Sequence, residues 1–157
     1  MTRTSNKAAL LHIAVQDLHA GKRLLAERLP AIAAHVRDGE LSAILAEEVP
    51  RAAAHANRLA DTGVNMAGPK NLWMGGILDD ADRDARSHDA GPLLDIALVG
   101  AVRKAKAAEI VSGETAVALA RALEQPALLA ALEANRTADR ATDEALAHRL
   151  AALTGTR

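Results

Sequence analysis

The 157-residue chain has no cysteine, no phenylalanine, no tyrosine and a single tryptophan, Trp73. Without thiols there can be no disulfide framework, Cys-ligated zinc, iron–sulfur cluster or cysteine nucleophile, and the composition fits a reducing compartment. Stacking of nucleic-acid bases on aromatic side chains is nearly excluded. An excess of one charge sign is also lacking: 19 basic and 20 acidic residues give a formal net charge of −1. No global field therefore draws the chain to nucleic acid or to an anionic membrane. Long hydrophobic runs are missing too. The most apolar window, Leu93–Val102, contains Asp95, runs into Arg103 and Lys104, and is too short to span a bilayer. The polar start Met1–Lys7 gives no sign of a targeting segment. These absences lead to the expectation of a cytoplasmic protein with neither nucleic acid nor membrane as partner.

What is present is helix-forming sequence. Half of the residues are hydrophobic and about a quarter are alanine, while strand-type alternation of β-branched residues is absent. The sequence predicts an all-α fold in one domain over residues 1–157, with a core over about 5–153. Turn signals at Asp38-Gly39, from Thr62-Gly63 to Gly68-Pro69, at Ala90-Gly91-Pro92 and at Gln125-Pro126 divide it. The helices expected are Ser5–Arg37, Glu40–Asp61, Asn71–Ser87, Leu93–Glu124 and Ala127–Leu153. Two long hairpins joined through a shorter helix suit a four-helix bundle with one crossover.

The apolar stripes carry more information than the helices themselves. On the first helix Leu11, Val15, Leu18, Lys22, Leu25, Leu29, Ile32 and Val36 repeat at spacings of four and three, which puts Lys22 inside an apolar face. The second helix gives Leu41, Leu45, Glu48, Ala52, His55 and Leu59. The next long helix gives Leu94, Leu98, Val102, Ala105, Glu109, Ser112, Ala116, Leu119 and Leu123, with Lys106 on a neighbouring edge. The last gives Leu129, Leu132, Arg136, Asp139, Asp143, Leu146, Leu150 and Leu153. Ionisable residues thus fall near mid-length on the inward stripe of all four long helices. Buried unpaired charge costs several kcal/mol, roughly, so such a layer must pair, bind something or reach water. Lys22 and Arg136 have stems long enough to snorkel to the rim.

With these features the sequence resembles the YciE/YciF-type ferritin-like family over about Leu10–Leu150. The resemblance rests on the order and spacing of Asp17-Leu18-His19-Ala20 through Arg28-Leu29-Pro30, Trp73-Met74-Gly75-Gly76-Ile77, Glu109-Ile110-Val111-Ser112 through Thr115 to Leu119-Ala120, and Ala141-Thr142-Asp143-Glu144 followed by Leu146. It implies a ferritin-like bundle with a carboxylate-rich di-metal site, associating as dimers. Position by position, the resemblance puts Lys22 and Lys106 where the family has glutamates, and Pro50 and Ala53 where it has Glu-x-x-His or Glu-x-x-Glu. Of its ligands Glu109 and Asp139 survive. His19, Ala108 and Gly113 stand at its aromatic positions. The resemblance therefore leads to a degenerate member with no metal cofactor, in which Lys22 and Lys106 pair with Glu109 and Asp139. An alternative keeps iron or manganese on a remodelled ligand set of Glu48, His55, Glu109 and Asp139.

Other chemistry is sparse. His12 and His19 are two turns apart, too far to share one ion, and His35, His88 and His148 lie near helix ends or a turn. No nucleophile elbow, P-loop or dinucleotide fingerprint is present. The acidic run Asp79–Asp84 lacks the glycine and terminal glutamate of an EF-hand loop and reads as a solvated face with Asp–Arg pairs. The functions left open are a non-catalytic structural or protein-interaction bundle, expected to be homodimeric; a metal-handling oxidoreductase; and a carrier of a small apolar ligand in a cavity near Ala105, Ala108 and Gly113.

Overall fold

A computed structural model describes residues 3–156, and among them the regular structure is five helices and no strand. The helices are α1 (Lys7–Ala33), α2 (Gly39–Ala60), α3 (Leu72–Ser87), α4 (Pro92–Ala122) and α5 (Pro126–Thr154). Arg157 and the first two residues lie outside the described part. None of these helices is long and apolar enough to cross a membrane.

Helix boundaries follow local chemistry. Asn6, Asp38 and Asn71 cap α1, α2 and α3 by accepting a hydrogen bond from a first-turn N–H. Both α4 and α5 begin with proline, whose missing N–H costs nothing at a helix start. The preceding Gly91 has φ +154°, a conformation open to glycine. Helix α1 stops at Ala33, four residues before the expected Arg37. The buried Asp95 carboxylate accepts the Arg37 N–H at 3.0 Å and the Asp38 N–H at 2.9 Å, so these donors serve the interhelix corner instead of a longer α1.

Helices α1 and α2 form one antiparallel hairpin and α4 and α5 the other; α1 packs on α4 and α2 on α5. The crossover helix α3 lies against α1 and α4. Its docking is polar at the edge and apolar beneath. Trp73 Nε1 donates to Asp17 Oδ2 at 2.7 Å, and Asn71 Nδ2 donates to the Asp17 carbonyl at 2.8 Å. The indole needs a glycine beneath it: a Cβ on Gly21 would stand 3.1 Å from the Trp73 ring. Arg28 reaches Asp79 at 2.8 Å and Asp82 at 2.5 Å. The acidic run therefore helps dock α3 to α1 as well as forming its own Asp80–Arg83 pair.

The core is divided into two apolar clusters. One fills the end where α1 finishes and α4 begins, around Leu25, Leu29, Leu45, Met74, Leu98 and Leu146. The other fills the opposite end, around Leu11, Val15, Leu59, Val117, Leu128 and Leu132. Between them lies a layer of buried polar side chains contributed by all four long helices.

Candidate functional site

The α1 and α2 stripes turn inward as read from the sequence, and they carry Lys22, Glu48 and His55 into this layer, each at most 2% exposed. Lys22 does not snorkel. Its ammonium lies 2.6 Å from Asp139 Oδ1 and 3.0 Å from Glu109 Oε2. Lys106, placed by the stripe analysis on an edge of α4, is fully buried. It bonds Glu48 Oε1, lies 2.8 Å from Glu109 Oε2 and is 3.3 Å from Asp139 Oδ1. Four helices are thus tied by two ammoniums and three carboxylates.

A second ring of polar groups surrounds these five. Glu48 Oε2 accepts from Thr142 Oγ1 at 3.1 Å and from Arg51 at 3.3 Å, and Arg51 also donates to Thr142 at 2.9 Å. Arg51 thereby closes the α2–α5 seam from the solvent side. Asn135 Nδ2 donates to the His55 carbonyl at 3.2 Å while its Oδ1 accepts from Arg58 at 2.7 Å. His55 Nδ1 stands 3.6 Å from Asp139 Oδ1, a close electrostatic neighbour just beyond hydrogen-bond reach. Among the described residues, two buried side-chain atoms have no hydrogen-bond partner: His55 Nδ1 and Glu109 Oε1.

Titration behaviour follows from this geometry. Burial alone would raise the Asp139 carboxyl; the His55 ring and the Lys22 and Lys106 ammoniums outweigh it and hold the group well below the usual carboxylate range. Burial would likewise lower Lys106, but the charges of Glu109, Asp139 and Glu48 hold its ammonium above the ordinary lysine value. Both shifts favour the charged forms of Asp139 and Lys106 at physiological pH.

Several positions differ from the sequence expectation. Pro50 and Ala53 are exposed, because the inward stripe of α2 runs through Glu48, Ala52 and His55 and leaves both on the outer face; they do not line the centre. α2 passes through Pro50 unbroken. In the later part of α4, and along α5 from its first turn, alternate positions of the stripe differ by one residue. Gly113, Ala120, Leu128, Asn135 and Thr142 are buried where Ser112, Leu119, Leu129, Arg136 and Asp143 are only half-buried. In α5 the expected positions Leu132, Asp139 and Leu146 stay buried, so the helix keeps its phase and only the alternate position of each repeat is exchanged for its neighbour. Of the three former aromatic positions only Gly113 is buried. The space beside it, bounded by Lys22, Glu109, Asn135 and Asp139, is about 10 Å³. That is room for a water at most, so this part of the core does not take an apolar ligand.

An antiparallel four-helix bundle with a crossover helix, two apolar ends and an ionisable layer between them is a ferritin-like helical bundle. The chain belongs to the family described as Domain of unknown function (DUF892), whose model matches residues 6–157. Among solved structures it is similar to the E. coli stress protein YciF, with a TM-score of 0.93 over 98% of this chain and 100% of that one at 18% identity. It is also similar to YcfI from Rhodopseudomonas palustris, with a TM-score of 0.86 over 93% and 96% of the two chains at 20% identity. At such identities the likeness concerns the fold alone. A search of curated proteins finds no match.

Proposed function

We propose that this chain is a non-catalytic ferritin-like bundle, without a di-metal centre, that serves as a structural or protein-interaction component, cytoplasmic and homodimeric. The observation that carries the reading is the position of the two lysine ammoniums among the three central carboxylates. A di-metal centre in such a bundle draws on about four carboxylates and two imidazoles. The layer offers Glu48, Glu109, Asp139 and His55. A protonated lysine cannot ligate and repels a cation. The donor set therefore does not fit a di-metal centre, and the lysines supply the positive charge that buried carboxylates require. A structural role has also been suggested for YcfI.

A second reading has one observation in its favour. Glu48, Glu109 and Asp139 can each place an oxygen within 4.8 Å of the others, close enough for a single ion. It requires an ion to displace Lys106. Protein purified from cells grown with added manganese and iron separates the two. We expect well under 0.1 metal ion per chain on the order of background adsorption, and thermal unfolding that a chelator leaves unchanged. Near-stoichiometric manganese or iron would overturn the metal-free reading.

A further inference from the structure

At one end of the bundle α1 begins, α2 and α4 finish and α5 starts. A cleft of about 170 Å³ opens there onto the second apolar cluster. Its floor is Leu11 and Leu128, 2% and 5% exposed, and its walls include the half-buried Val64 and Leu123. Ala8 and Ala127 stand at the rim, with methyls too short to reach across. A chain without phenylalanine or tyrosine has no large aromatic plug to close this end. Unfilled apolar space forfeits the dispersion contacts that filling atoms would make, and an occupant of the right size restores them. The cleft is separate from the charged layer, since Leu11 precedes Lys22 on α1 by roughly 16 Å of helix.

The lining also selects a chemical class. Among the described residues no Asp, Glu, Lys or Arg lines this cleft, whereas the groove between α1 and α2 carries Arg23 with Glu27, and that between α2 and α5 carries Arg51 with Glu47. A charged ligand would lose hydration here without gaining an ion-pair partner. The polar groups sit at the mouth. Thr62 Oγ1 donates to the Leu59 carbonyl at 2.6 Å and is left as an acceptor, while the exposed His12 ring and Gln125 amide can each donate or accept. We propose that this cleft binds a neutral, compact amphiphile of about the size of phenol, its ring against Leu11 and Leu128 and its hydroxyl at His12 or Gln125. An apolar cavity of about 150 Å³ takes a benzene-sized molecule. This cleft is similar in volume and open on one side, so the hydroxyl end meets the polar mouth. Such a site goes beyond the structural reading and does not depend on what the charged layer holds.

The full chain is titrated with 4-fluorophenol followed by fluorine NMR, and with phenol followed by the methyl signals of Leu11, Val64 and Leu128. We expect one saturable site with a dissociation constant of about 0.1–1 mM and methyl shifts confined to the cleft. Cyclohexanol should compete, and benzoate should bind at least about tenfold more weakly. Ala8→Leu and Ala127→Leu, which place apolar atoms in the cleft, should each weaken binding by about tenfold or more. Leu93→Ser, at an exposed leucine where α4 begins, should leave it unchanged. Lack of saturation below about 10 mM, which is ten times the weakest affinity expected, overturns the proposal. Equal binding of benzoate, or full binding by both filled variants, also overturns it. Should both filled variants fail to fold, native-chain shifts confined to Leu11, Val64 and Leu128 sustain it, and shifts that spread to the exposed Leu72 or Leu93 overturn it.

Discussion

Replacing Asp139 by asparagine removes one charge from the layer while keeping its shape. Asp139 Oδ1 is the acceptor at 2.6 Å from Lys22 and 3.3 Å from Lys106, and the His55 ring stands 3.6 Å away. In Asp139→Asn, two buried ammoniums are left to share Glu48 and Glu109. Breaking a buried ion pair on one side costs about 3–5 kcal/mol, a large part of the ~5–15 kcal/mol that holds a domain folded. For a chain of this size the Tm should fall by roughly 6–20 °C. The pH dependence carries a second signature. The folded-state pKa of Asp139 is depressed, so its stabilisation is fully present above the unfolded carboxylate value near about 4 and is lost as pH falls through the lower folded value. Urea unfolding of the native chain should therefore weaken steeply below about pH 4, and Asp139→Asn should show a shallower acid slope. A loss under about 1 kcal/mol at pH 7, the scale of an exposed ion pair, or an unchanged acid slope would mean that Asp139 does not anchor the buried lysines.

Other consequences are accessible to the same assays. Lys106 is shifted upward, so its contribution is complete below the ordinary lysine value near about 10.4 and disappears only as pH rises through the elevated folded value; the native chain should keep its stability to at least pH 10 in alkaline unfolding. The double variant Lys22→Glu/Lys106→Glu should acquire divalent-metal binding, measured by calorimetry, with no change at the exposed Pro50 and Ala53. Trp73→Phe removes the indole bond to Asp17 and should cost about 1.5–3 kcal/mol in urea unfolding, with faster amide exchange confined to α3. Asp95→Ala leaves the Arg37 and Asp38 N–H groups without their carboxylate and should cost about 1–3 kcal/mol by the same measurement.

The all-α architecture and the first two helix faces were legible because composition and a regular stripe act locally: every expected inward residue of α2, from Leu41 to Leu59, is buried. The later part of α4 and the whole of α5 were less so, since Thr142 is buried in place of Asp143 and Asn135 in place of Arg136, and only packing decides between such neighbours. Glu48 and His55 stood in the α2 stripe and in the alternative ligand set, whereas the family resemblance pointed to Pro50 and Ala53, which the helix phase turns to solvent. Contacts made across long stretches of chain left no local trace. The Arg28 pairs with Asp79 and Asp82, and the Arg51–Thr142 contact that closes the α2–α5 seam, became visible only once the helices were placed.

Crystals grown with manganese and measured at its absorption edge would locate any ion in the layer. No anomalous peak is expected among Glu48, Glu109 and Asp139, with Lys22 and Lys106 nitrogens lying within hydrogen-bond distance of the carboxylates. A strong peak among those carboxylates, with Lys106 turned away, would contradict the metal-free reading.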